Sequence, residues 1–90
     1  MCRRLVRTKQ FVKDYKRLKF SDKHYSKFII YLAKLLNGEV LPLEAKDHAL
    51  KGEWTDFREL HISGDLLLIY KVVDDIVYLA RIGSHSELFK

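Results

Sequence analysis

The stretch Phe57 to Ile82, FRELHISGDLLLIYKVVDDIVYLARI, decides the fold. It divides into three runs rich in β-branched and aromatic residues, Phe57 to Ile62, Leu66 to Val73 and Ile76 to Ile82, separated by the turn formers Ser63-Gly64 and Asp74-Asp75. Three strands joined by two tight turns predict a mainly antiparallel sheet. The run Leu66-Leu67-Leu68-Ile69-Tyr70 has no polar alternation, which places its strand centrally, with helices over at least one face and Val77 and Leu79 in support.

Toward the N-terminus, Arg4 to Arg7 reads as a short strand. Thr8 can cap a helix in which Phe11, Tyr15 and Leu18 recur at spacings of four and three. A second helix starts near Ser21, with Ser21 and Asp22 as cap candidates, and sets Tyr25, Phe28, Ile29, Leu32, Leu35 and Leu36 on one stripe before Asn37 and Gly38 end it. The two helices, joined around Phe20 to Asp22, predict a hairpin whose apolar seam faces the sheet. The class is therefore α+β with the order βααβββ. Ser84-His85-Ser86-Glu87 has the form of a capping box, so a short C-terminal helical turn presenting Leu88 and Phe89 is expected. Between second helix and sheet, Gly38 to Thr55 shows no periodicity and reads as a long loop, a kind of segment that is usually functional.

Ninety residues with 48% hydrophobic content, four Gly and one Pro predict one folded domain over 1–90 and exclude a multidomain enzyme. At this size about 60–65% of the unfolded surface is buried, so stability is expected to be modest and a bound partner to matter. The single Cys2 excludes a disulfide framework and fits a reducing compartment, with the cytoplasm as the default. No apolar run, Leu66 to Tyr70 included, approaches the ~20 residues of a membrane helix, and no secretion signal is expected. The net charge of +5 conceals an asymmetry: residues 1–37 carry +9 and residues 38–90 carry −4. A basic face follows, on which Lys9, Lys13 and Lys16 fit phosphate contact as well as a plain solvated surface.

His48, His61 and His85 lie in or beside loops of the sheet-forming half, and His61 with Asp65 can share one rim of the sheet, within reach of Arg81 at the end of the last strand. Imidazoles, a carboxylate and an arginine are what RNA cleavage by its own 2′-hydroxyl requires: a base for the nucleophile, an acid for the leaving 5′-oxygen and a cation for the phosphorane. The same histidines fit structural hydrogen-bonding roles. A zinc site from His48, His61, His85 and Asp65 has the right donors but no tight ligand spacing to mark it, so no metal or other cofactor is expected. In the loop, Trp54 is placed either to fill the core or to stack on a base, with Lys46 and Lys51 beside it for phosphate.

Lys46-Asp47-His48-Ala49-Leu50-Lys51-Gly52, Phe57-Arg58-Glu59-Leu60-His61, Asp65 to Tyr70 and Arg81-Ile82-Gly83-Ser84-His85-Ser86-Glu87-Leu88-Phe89 together resemble YafQ-type toxins of the RelE/ParE superfamily. About half of the chain matches closely, in order and spacing. The resemblance implies a RelE-like fold and a ribosome-dependent endoribonuclease that cleaves mRNA in the A site. It implies as partners the 70S ribosome, mRNA and a cognate antitoxin, the toxin alone being monomeric and hetero-oligomeric with its antitoxin. It carries functional roles onto His48, His61, Asp65, Arg81, His85 and the terminal aromatic Phe89. Gly64 and Ala49 stand where relatives often have Pro. Two rivals share the features: a ParE-like gyrase inhibitor, which needs no histidine cluster, and a non-catalytic basic module that binds RNA or antitoxin.

Overall fold

In the computed structural model, which describes residues 2–89, five strands form one sheet in the order β1-β5-β4-β3-β2. The strands are β1 (Arg4–Arg7), β2 (His48–Ala49), β3 (Arg58–Ser63), β4 (Leu66–Val73) and β5 (Ile76–Gly83). Helices α1 (Lys9–Arg17) and α2 (Asp22–Leu36) follow β1, and α3 (His85–Leu88) follows β5. The expected order holds, and the stretch read as loop adds two single 3-10 turns, Leu43–Ala45 and Gly52–Trp54, and the two-residue β2, which pairs antiparallel with β3, His48 opposite Glu59. So short a strand leaves no periodic trace in sequence. The sheet is antiparallel except where β1 runs parallel to β5.

Caps formed where the side chains allow them. Thr8 and Ser21 accept the N–H groups of Phe11 and His24, satisfying donors that each helix start would leave unpaired. At the end of α2, Gly38 takes a left-handed conformation (φ 68°), and the Glu39 N–H reaches back to the Lys34 carbonyl, closing the helix.

The central β4 is buried on both faces. Leu68 and Tyr70 turn toward α1 and α2, joining Phe11, Phe28, Tyr31, Leu35, Leu60, Ile62, Val77, Leu79 and Ile82 in the main core. Leu67 and Ile69 turn the other way, into a smaller cluster with Ala80, Leu88, Trp54, Phe57 and Phe89. The stripe of α2 is rotated from expectation. Tyr25 and Ile29, expected inside, are each 45% exposed, while Tyr31 is buried and its hydroxyl lies 3.5 Å from Glu44. The inward face centres on Phe28, Tyr31 and Leu35, because a polar partner for the phenol lets that ring occupy the core. Tyr15 and Phe20 stack around Phe28 and tie the two helices together.

Candidate active site on the sheet face opposite the long helices

The small cluster is the floor of a polar site, and strand alternation assembles it. Glu59 and His61 are two apart on β3 and share the face of Ile69 and Leu67, while His48 stands opposite Glu59 on β2. A continuous register row therefore runs His48, Glu59, Ile69, Arg81 across four strands, and a second runs His61, Leu67, Gly83.

Glu59 is the residue that sequence reasoning missed. It is a 5% exposed carboxylate, and His61 Nε2 lies 3.1 Å and His48 Nε2 3.6 Å from the same Oε1 oxygen. The two imidazole rings stand 6.2 Å apart. The alternation Phe57, Glu59, His61 was its available signal, since it places an acid and an imidazole side by side on one face. His48 Nδ1 lies 2.7 Å from the Lys46 carbonyl, which can only accept; the Nδ1 proton is thus engaged on the backbone and Nε2 faces Glu59.

The segment leading into β2 is anchored from below. Asp47 accepts from Arg58 Nε at 3.2 Å and Nη2 at 3.1 Å, and from the Tyr70 hydroxyl. Burial and the adjacent Asp47 carboxylate push the Tyr70 phenol well above its ordinary value, so it remains a donor, and the Asp47 hydrogen bond likewise holds Arg58 charged. This network fixes the residue before His48.

The opposite wall is α3. Ser84 and Glu87 form the expected capping box, and Asp65, in the β3–β4 turn, accepts the His85 N–H at 3.2 Å. Asp65 thus orients the start of α3 rather than touching the other histidines. A Cβ on Gly83 would come within 3.2 Å of Glu87 Oε1 and 3.4 Å of Leu88, so glycine permits the turn to fold back onto β5. The His85 ring lies 4.9 Å from that of Phe89. Gly83 is two strands from His61, about 10 Å at ordinary strand spacing.

Arg81 shares the register row of His48 and Glu59, but its guanidinium is held by Asp14 of α1, through Nε at 2.7 Å and Nη2 at 3.1 Å. The Asp14 hydrogen bonds outweigh burial and raise the guanidinium's pKa, keeping it charged. Trp54 is half-buried and stands edge-on to Phe57 at 5.2 Å, with Lys71 4.9 Å above the Phe57 ring, so it is first a wall of the small cluster. Lys46 and Lys51 are exposed beside β2. Lys9, Lys13 and Lys16 are exposed on α1 and, among the described residues, enter no ion pair. No described helix is long and apolar enough to cross a membrane.

His48, Glu59 and His61 each offer a ligand atom within 4.8 Å of the others, a geometry that could hold a metal ion. The zinc alternative of the sequence reading shares His48 and His61 with this group, but completed it with His85 and Asp65, which belong to the α3 wall, in the place that Glu59 takes.

A family model described as "Bacterial toxin of type II toxin-antitoxin system, YafQ" matches residues 3–90. The chain is 40% identical over 82 residues to the mRNA interferase toxin YafQ of Escherichia coli K12, covering 89% of this chain and 88% of that one. The E. coli toxin in the DinJ-YafQ complex superposes with a TM-score of 0.84 at 33% identity, over 98% of this chain and 99% of that one. A copper-bound mutant toxin from Helicobacter pylori gives 0.81 at 44% identity, over 97% and 99%. The family model and the near-complete coverage agree, and this chain belongs to the YafQ family of bacterial type II toxin-antitoxin toxins.

Proposed function

We propose that this protein is a ribosome-dependent endoribonuclease that cuts mRNA in the A site and is silenced by a cognate antitoxin. The carrying observation is that two imidazoles stand beside one buried carboxylate on the sheet face that also carries α3, whose capped first turn starts with a third histidine, His85. In this reading His48, with its Nδ1 proton engaged on Lys46, accepts the 2′-hydroxyl proton at Nε2. The 2′-oxygen attacks the adjacent phosphorus, and the P–O5′ bond breaks. His85 protonates the departing 5′-oxygen, leaving a 2′,3′-cyclic phosphate. His61, held by Glu59, and Arg81 stabilise the phosphorane. Asp65 orients His85, and Phe89 with the exposed part of Trp54 holds the neighbouring bases.

The exposed lysines Lys9, Lys13, Lys16, Lys46 and Lys51 serve contact with ribosomal or messenger RNA phosphate. A chain this small supplies few contacts of its own, and the ribosome contributes the positioning of the message. With the ribosome as platform, the site of action is the cytoplasm. By the relation to the DinJ-YafQ complex, a protein antitoxin converts the monomeric toxin into a hetero-oligomer. A cation on His48, Glu59 and His61 would occupy the nitrogens that the proton transfers need, so the reaction proposed is metal-independent.

The test incubates the purified protein with mRNA in a translating system and with the same mRNA free of ribosomes, and maps new 5′ ends by primer extension. Codon-phased cuts only with ribosomes, absent with His85→Ala, are the expected result. No cuts in either tube from folded protein would overturn the reading and direct attention to gyrase supercoiling. Equal cutting of naked RNA would remove the ribosome requirement.

A further inference from the structure

Helix α1 is cationic on its exposed faces, yet its one acid, Asp14, points inward and is only 7% exposed. Burial alone would push this carboxyl up, but hydrogen bonds from Arg81, Ile82 and Gln10 and the Arg81 charge bring it below the ordinary value. Its oxygens accept from Arg81 Nε and Nη2, from the Ile82 N–H at 3.2 Å and from Gln10 Nε2 at 3.2 Å. A buried ion pair is a weak source of stability, because desolvation offsets most of the attraction and an apolar pair does as well. Its geometric effect is specific.

The β4–β5 register shifts between Ile69 and Tyr70, where Arg81 and Leu79 are their partners, so Ala80 forms a bulge immediately before Arg81. At this point β1 has ended, and α1 takes over the edge of β5. Thr8 donates its N–H to the Leu79 carbonyl and its hydroxyl to the Ala80 carbonyl, and Asp14 accepts the Ile82 N–H. One carboxylate therefore holds both the strand backbone after the bulge and the guanidinium that the bulge re-aims. Asp14 uses two of the three guanidinium nitrogens, and the fork lines a cleft of about 270 Å³ shared with Arg17, Lys19 and the acid Glu87, whose charge also acts on Arg81.

We infer that Asp14 is a positioning residue that aims Arg81 at the phosphate in the cleavage reaction; this rests on the nuclease reading above and on Arg81's part in it. A clamped fork presents its remaining corner in a fixed direction, whereas a released arginine spreads its charge over many rotamers.

The experiment is a double-mutant cycle on cleavage of ribosome-bound mRNA, with Asp14→Asn, Arg81→Ala and the pair, each at equal folded concentration by circular dichroism. Single-turnover rates are followed for hours, so that a reaction slowed about 10³-fold is still timed. Asp14→Asn is expected to lower the cleavage rate about 10- to 100-fold with ribosome affinity unchanged, and to cost less than about 2-fold in the Arg81→Ala background. Asp14→Glu, which keeps the charge but displaces it by a methylene, should fall between wild type and Asp14→Asn, and serves if the latter fails to fold. Equal losses in both backgrounds would make Asp14 merely structural and overturn the inference. Full activity of Asp14→Asn beside an impaired Arg81→Ala would overturn the inference and leave the nuclease reading standing. Full activity of Arg81→Ala would remove Arg81 from the reaction, and the inference with it.

Discussion

The two faces of this sheet are built on different terms. Beneath α1 and α2, the core of Leu60, Ile62, Leu68, Tyr70, Val77, Leu79 and Ile82 is continuous and apolar. On the other face, the apolar floor of Leu67, Ile69 and Ala80 is small, and buried or half-buried charge surrounds it: Glu59 under two histidines, and Arg81 in the same register row. The comparison teaches that the large core fixes the strands and thereby lets the opposite face carry groups that would not fold by themselves. Residues of the first face should govern stability, and residues of the second should govern chemistry.

The largest expected departure from wild type lies on the site face. His85 is exposed, so His85→Ala should lower cleavage on translating ribosomes by about 10²- to 10⁴-fold, with thermal unfolding unchanged. A lowered melting temperature with intact cleavage would break the division of labour. The mirror-image test is Leu68→Ala, from a fully buried position on the helix face. It should cost about 2–5 kcal/mol of unfolding free energy by urea titration while leaving cleavage per folded molecule near wild type.

Glu59→Gln sharpens the contrast, because it keeps the shape and an acceptor at a buried site while removing the charge that the two histidines share. Cleavage should fall about 10-fold, with stability altered by less than about 1.5 kcal/mol. A smaller effect is expected from acid. Because Asp14's folded pKa is lowered, its contribution to stability is complete at neutral pH and is lost as pH falls below about 4. The urea midpoint should drop there, and more gently in Asp14→Asn. Least perturbing for the fold is reversal of Lys9, Lys13 and Lys16 to Glu. Thermal unfolding should hold while ribosome binding weakens, and the slope of log K against log salt should shrink by about 0.7 for each phosphate no longer neutralised. An unchanged slope would detach these lysines from RNA.

Much of the helix face was legible because its signals are local. Thr8, Ser21 and Ser84 each cap the helix that follows them, as their spacing implied. The central strand Leu66–Val73 stands where its unbroken apolar run placed it. Ile29 was misread since a stripe at helical spacing gives the inward direction only to within about one residue, about 100° of rotation on a helix of 3.6 residues per turn. The candidate site could be read from sequence as a list of residue types and not as an arrangement. His48, His61 and His85 were candidates, but nothing local showed that Glu59 would lie between the first two.

The sequence by itself determined the βααβββ frame, the caps, the turns and the basic first half, because each depends on residues within a few positions of one another. Only the tertiary structure decided that His48 pairs across from Glu59, that Asp65 turns to the His85 backbone and that Asp14 takes Arg81. Those partners are separated by 11, 20 and 67 positions, and they meet through strand register and the packing of α1 on β5, which no local periodicity encodes.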